Sequence, residues 1–137
     1  MQVNAYVFFN GQCEEAIRFY EKALGARPGP VSRYGDAPGD NPVPEDFRNK
    51  VMHTTMTIGD TLIMASDAGP DRYQPQQGFS LAIGTTDPAE AERLFNGLSQ
   101  NARMITMPLQ QTFWSQKFGM LTDQFGIDWM VNCAAPA

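Results

Sequence analysis

What most constrains this chain is that one order of elements runs through it twice. Strand, helix and three strands are read in the first half, and the same order returns in the second. The residues echo this order. Glu15-Ala16-Ile17-Arg18-Phe19-Tyr20 answers to Glu90-Ala91-Glu92-Arg93-Leu94-Phe95, and Gly59-Asp60-Thr61-Leu62-Ile63-Met64 resembles Gly126-Ile127-Asp128-Trp129-Met130. Two amphipathic helices share Glu, Ala and Arg easily, so the short match alone proves little. The shared order makes duplication the better explanation. A βαβββ module covers one face of its sheet with its helix and leaves the other face open. The fold class expected is therefore α+β. Two tandem βαβββ modules form a curved mixed sheet around a cleft, with helices on the outer face. Module one is residues 1–67, the linker 68–77 and module two 78–137.

The local signals place these elements. Residues 3–9 are β-branched and aromatic, a strand broken by Asn10-Gly11. The stripe Ala16, Ile17, Tyr20, Ala23, Leu24 predicts a helix over 14–24, closed by Gly25. A short strand is read over 31–34. Residues 35–46 hold three prolines and two glycines, a loop long enough to suggest a flap over a cleft or an interface segment. Strands over 51–58 and 61–66 meet at Gly59-Asp60, a hairpin signal. In the second module a strand is expected over 79–83. Asp87-Pro88-Ala89-Glu90 is a helix start, with Asp87 accepting from free amides and Pro88 in the first turn. Ala91, Leu94, Phe95 and Leu98 line that helix. Strands are expected at 104–107, 117–122 and 127–132.

Composition narrows the function classes. A chain of 137 residues suits one domain, and 42% hydrophobic residues can fill its core. The formal net charge is -5. The ten basic residues are spread from Arg18 to Lys117 without a cluster. Nucleic acid and an anionic membrane surface both require concentrated positive charge, so neither is expected as a partner. No charged leader precedes a long apolar run, which predicts no signal peptide. No apolar stretch approaches the roughly 18 residues of a membrane span. Cys13 and Cys133 form no CxxC and read as reduced thiols of a cytoplasmic protein.

The motifs resemble the vicinal oxygen chelate superfamily, which includes glyoxalase I, bleomycin-resistance proteins and extradiol dioxygenases. Residues 15–25, from Glu15 to Gly25, resemble its first helix. Lys50-Val51-Met52-His53, Leu62-Ile63-Met64-Ala65-Ser66-Asp67, Gln77-Gly78-Phe79-Ser80, residues 87–95, residues 107–114 and residues 118–126 are similar to the PhnB-like branch. Members of that branch are often described as 3-demethylubiquinone 3-methyltransferase-like. No glycine-rich turn follows the first strand here, so the residues themselves do not point to methyl transfer. The superfamily's metal enzymes draw one ligand from the first strand and one from the last strand of each module. Here those positions fall at Ala5 or Tyr6, near Met64, at Phe79 or Ser80, and near Met130. None offers the nitrogen or carboxylate donor that a divalent ion prefers. No metal or other cofactor is therefore expected. A rearranged set, such as His53 with Asp67 or Asp128, is the alternative.

The expected ligand-binding residues are His53, Met64, Phe79, Trp114, Met130, Tyr6 and Gln111. His53 shares a strand face with Thr55 and Thr57. Imidazoles exchange protons near neutral pH, so it reads as a ligand contact or general base. A structural histidine is the favoured alternative, because no acid sits beside it in sequence. Met64 and Met130 give an apolar, adaptable cleft floor, or simply core. Trp114 with Phe113 and Phe118 forms an aromatic wall, flanked by Gln110, Gln111 and Ser115, or a core or dimer contact. Trp129 is expected to pack under a helix. The face on which Tyr6 and Phe8 lie is left open. The expected function is metal-free binding of a small apolar or aromatic molecule, neutral or cationic, by a homodimer. A metal-dependent lyase or dioxygenase with a rearranged site is the alternative, and a vestigial cleft on an assembly subunit is the third reading.

Overall fold

The computed structural model describes residues 1–37 and 43–134. The chain divides into two compact units, Met1–Gln74 and Pro75–Ala137. The middle of the expected flap, residues 38–42, lies outside the described residues.

In the first unit, β1 (Tyr6–Phe9) leads into α1 (Cys13–Leu24). Cys13, Ala16, Ile17, Tyr20, Ala23 and Leu24 are the buried residues of α1, so the predicted stripe is the packed one. A buried aliphatic such as Ile17 or Leu24 contributes about 1.5–3 kcal/mol through burial. Gly25 ends the helix at φ 69°, its amide donating to the Glu21 carbonyl while Ala26 reaches back to Tyr20. Only glycine adopts that left-handed turn without strain. The strand expected over 31–34 is instead two short pieces, β2 (Arg27–Pro28) and β3 (Ser32–Arg33), followed by a 3-10 turn at Tyr34–Asp36. Proline at positions 28 and 30 withholds two ladder donors, which fragments the strand. A second 3-10 turn at Glu45–Phe47 precedes β4 (Val51–Ile58) and β5 (Thr61–Asp67). The sheet order is β1-β5-β4-β2, with β3 also on β4. β1 runs parallel to β5, and β4 antiparallel to it.

The second unit repeats this plan: β6 (Leu81–Thr85), α2 (Pro88–Leu98), β7 (Met104–Gln110), β8 (Ser115–Thr122) and β9 (Asp128–Ala134). Its order is β6-β9-β8-β7, with the first strand again parallel to the last. The duplication read from sequence is thus also a duplication of topology. Asp87 caps α2, its carboxylate accepting from the Ala89 amide at 3.0 Å, with Pro88 in the first turn. α2 packs on β8 and β9. The approach is tight at Gly119, where an added Cβ would lie 2.6 Å from Phe95 Cε2.

One register differs from expectation. The first strand of the second unit starts at Leu81, so Phe79 and Ser80 precede it. In the first unit Tyr6 pairs with Met64; in the second, Ala82 pairs with Met130. Ala82, not Phe79 or Ser80, is therefore the counterpart of Tyr6. The apolar look of Phe79 suggests a strand, but Gly78 at φ 82° turns the chain just before it.

Candidate functional site

Strand alternation and helix packing decide which side chains of the first sheet stay open. Val7 and Phe9 are buried, and Phe9 meets Tyr20 of α1 with ring centroids 6.4 Å apart. Tyr6 and Phe8 therefore point the other way and are 36% and 55% exposed. On β4, Thr54 and Met56 are buried, while His53 is exposed and Thr55 partly so. Met64 of β5 sits between Tyr6 and Thr55 in the ladder. The Tyr6 hydroxyl and His53 Nδ1 lie 3.1 Å apart, a hydrogen bond whose direction follows the imidazole tautomer. The Tyr6 ring also lies 4.8 Å from Phe8 and 5.7 Å from His53, centroid to centroid. Tyr6, His53 and Met64, all singled out from sequence, are thus brought together. The partner that His53 lacked in sequence is a phenol from β1.

Beside Phe8 opens a cavity of about 560 Å³, lined by Phe8, Tyr34, Ala68, Gly69, Arg72 and Gln74. Ligand pockets commonly span roughly 300–1,000 Å³. Tyr34 is set by its hydroxyl donating to the Asp67 carbonyl at 2.7 Å and by its ring against Phe47 at 4.9 Å. Burial, then the nearby Asp67 charge, holds the Tyr34 phenol above its ordinary pKa. Sequence reading missed Tyr34 and Arg72 as lining residues. Their only signal was proximity to the ends of strands, and that depends on pairing.

The polar groups behind this face are structural. Asp67, 2% exposed, accepts from the Cys13 amide through one oxygen and from the Val51 amide through the other, each at 2.9 Å. It thereby caps α1, whose Gln12 supplies no side-chain cap. Burial, then the negative charges of Asp67 and Glu14, pushes the Cys13 thiol up to about 12. A protonated thiol is a poor nucleophile. Glu14 accepts from Arg33 at 2.6 Å, and that hydrogen bond holds its carboxyl below the ordinary range.

In the second unit, Trp129, Val131 and Cys133 are buried. Trp129 donates its indole N–H to Asp123 at 2.9 Å. On the opposite face of the sheet, Ala82, Met130, Met120 and Met107 pair in one row across four strands. Phe118 lies one row away, opposite Asn132 and Gln110. Trp114, 48% exposed, sits in the β7–β8 loop with Phe113 at 4.8 Å and Phe118 at 5.4 Å. The expected aromatic cluster therefore forms, with Gln111 exposed in the same loop. Phe79, 54% exposed, stands outside the strand. Sequence reading missed Met107, whose strand β7 has a register irregularity that hides the alternation, and Met120, whose place in the row depends on its pairing with Met130.

Pairing sets Tyr6 beside Met64 and Ala82 beside Met130, on the first and last strands from which the resemblance would draw metal ligands. They present a phenol, two thioethers and a methyl group. This donor set does not fit a divalent ion that prefers imidazole and carboxylate. Among the described residues no group of three or more His, Cys, Asp or Glu converges on a point.

The model of the family described as 3-demethylubiquinone-9 3-methyltransferase matches residues 1–132. The chain belongs to this family. It is 34% identical to protein YjdN of Escherichia coli, over 96% of this chain and 95% of that one. The solved structure of PA1353 from Pseudomonas aeruginosa is 41% identical, covers 98% of both chains and superposes with a TM-score of 0.87. A Bacillus cereus PhnB protein is 26% identical, covers 98% of this chain and 100% of that one, and gives 0.80. The fold alone extends further. The fosfomycin resistance protein FosX of Mesorhizobium loti is 12% identical over 98% of this chain and 92% of that one, with a TM-score of 0.61. This member is PhnB-like and has the α+β fold of the vicinal oxygen chelate superfamily, as its motifs implied. Among the described residues no helix is long and apolar enough to cross a membrane.

Proposed function

We propose that this PhnB-like chain binds a small organic molecule without a metal, on the open face of its first sheet. The observation that carries this reading is the ring cluster of Tyr6, Phe8 and His53, held open to solvent beside a cavity of about 560 Å³. Exposed aromatic area is costly to leave in water, and a flat ligand covers it. Met64 supplies an adaptable contact, and the Tyr6–His53 hydrogen bond supplies a polar handle. The open face of the second unit, with Met130 in its methionine row and Trp114 and Gln111 in the adjoining loop, is proposed as a second apolar contact surface. Binding without a metal is supported by the donor set at the four equivalent positions, not by any vacancy. The two buried, unpaired thiols suit a reducing cytoplasm.

Two measurements test this. Thermal shift and calorimetry with benzyl alcohol and indole as probes should show stabilisation above the probe's Kd. Tyr6→Ala should weaken that binding about tenfold, since stacked aromatic contacts contribute about 1 kcal/mol beyond area. Binding by Tyr6→Ala equal to that of the parent chain would remove the ring cluster from the site. Elemental analysis of protein purified without chelators should find less than stoichiometric zinc, nickel, manganese or iron. A stoichiometric metal would revive the lyase or dioxygenase alternative.

A further inference from the structure

We infer that the cavity beside Phe8 takes a flat organic ligand bearing an oxyanion, a carboxylate or a phosphate-type group, with Arg72 as its counterion. The inference rests on the small-molecule reading above and gives its ligand a charge.

The chain as a whole is acidic, with a formal net charge of -5. The described lining of the cavity holds a cation instead. Among the described residues that line it, Phe8, Tyr34, Ala68, Gly69, Arg72 and Gln74, Arg72 is the one with a formal charge. The nearest buried acid, Asp67, is already committed: both carboxylate oxygens accept backbone amides, and its carbonyl takes the Tyr34 hydroxyl. Among the described residues the recorded ion pairs join Glu14 to Arg18, Glu14 to Arg33 and Glu92 to Lys117, leaving Arg72 outside them.

The local backbone also presents Arg72 in a defined way. Its amide donates to the Gly69 carbonyl at 2.9 Å, closing a tight turn through Asp71 at φ 60°. The Arg72 stem runs over Gly69, where an added Cβ would lie 3.5 Å from its Cδ. The guanidinium is therefore tethered at the cavity rim by a turn and a packed stem. A guanidinium fork matches carboxylate and phosphate oxygens two at a time. Phe8 and Tyr34 supply ring surface for the flat part of the ligand, and the Gln74 amide adds an NH2 donor group and a carbonyl acceptor.

The test is calorimetric titration of the full chain with four probes of like size: benzoate, phenyl phosphate, benzyl alcohol and benzylammonium. One or both anions should bind about tenfold tighter than benzyl alcohol, with an advantage that shrinks as salt rises. Preference for benzoate or for phenyl phosphate tells which oxyanion the site takes. Arg72→Gln should reduce the anion-to-alcohol ratio to near one, and Arg72→Lys should restore part of it. Tightest binding of benzylammonium, or an anion advantage unchanged in Arg72→Gln, would overturn the inference while leaving the small-molecule reading standing. Binding of none of the four would overturn both.

Discussion

Single residues here owe their behaviour to neighbours distant in sequence. Cys13 opens α1, yet the charge that most affects its thiol is that of Asp67 at the end of β5. Its acidity gives a pH prediction. An unfolded thiol ionises near 9.0, whereas the folded one is pushed up to about 12. Below pH 9.0 both states keep the proton and stability is indifferent to this group. Between pH 9.0 and about 12 the unfolded state alone releases it, so the fold loses stability as pH rises. Urea unfolding across that window should show a shallower alkaline decline in Cys13→Ala than in the parent chain. His53 teaches the same lesson. No acid lies beside it in sequence, and sheet pairing gives it the Tyr6 hydroxyl instead.

Elements were the most legible level. Helix stripes depend only on side-chain spacing, and both predicted stripes are the buried faces of α1 and α2. The strands of residues 51–58 and 61–67 likewise follow from alternation and a glycine turn. Legibility failed where a strand's limits depend on pairing. Residues 79–83 look like a strand, but the ladder with β9 begins at Leu81. The echo of Glu15 in Glu90 carries the first residue of β1, Tyr6, onto the first residue of β6, Leu81, and so marks where the strand starts, but it misses the pairing register by one residue, since Ala82 stands opposite Met130. How elements are fastened gives two stability predictions. Asp67→Ala leaves the Cys13 and Val51 amides without their acceptor and should cost about 2–5 kcal/mol. Gly119→Ala drives a methyl into Phe95 and should cost about 1–3 kcal/mol. Chemical denaturation of each variant against the parent chain reads both losses. An unchanged midpoint in Asp67→Ala would mean that the helix start is held by other contacts.

At the scale of the whole molecule, two copies of one topology each leave a sheet face uncovered by their own helix. Exposed Phe8, Trp114 and Phe113, the last 98% exposed, put aromatic area in water. Pairing of subunits is a common way to cover such area, and we expect a homodimer. Light scattering after size exclusion should give twice 15.2 kDa, and a mass of 15.2 kDa across micromolar concentrations would contradict it.

The sequence by itself determined the duplication, the order of elements and both amphipathic helices. These follow from side-chain type and spacing, which are local. Tertiary structure alone decided that Tyr6 and Phe8 face away from α1, that Ala82 stands where Tyr6 stands, and that Asp67 caps a helix far from it in sequence. It also decided that Arg72 turns toward a cavity with Phe8 and Tyr34. Strand alternation defines two faces without saying which one the helix covers, and only packing makes that choice.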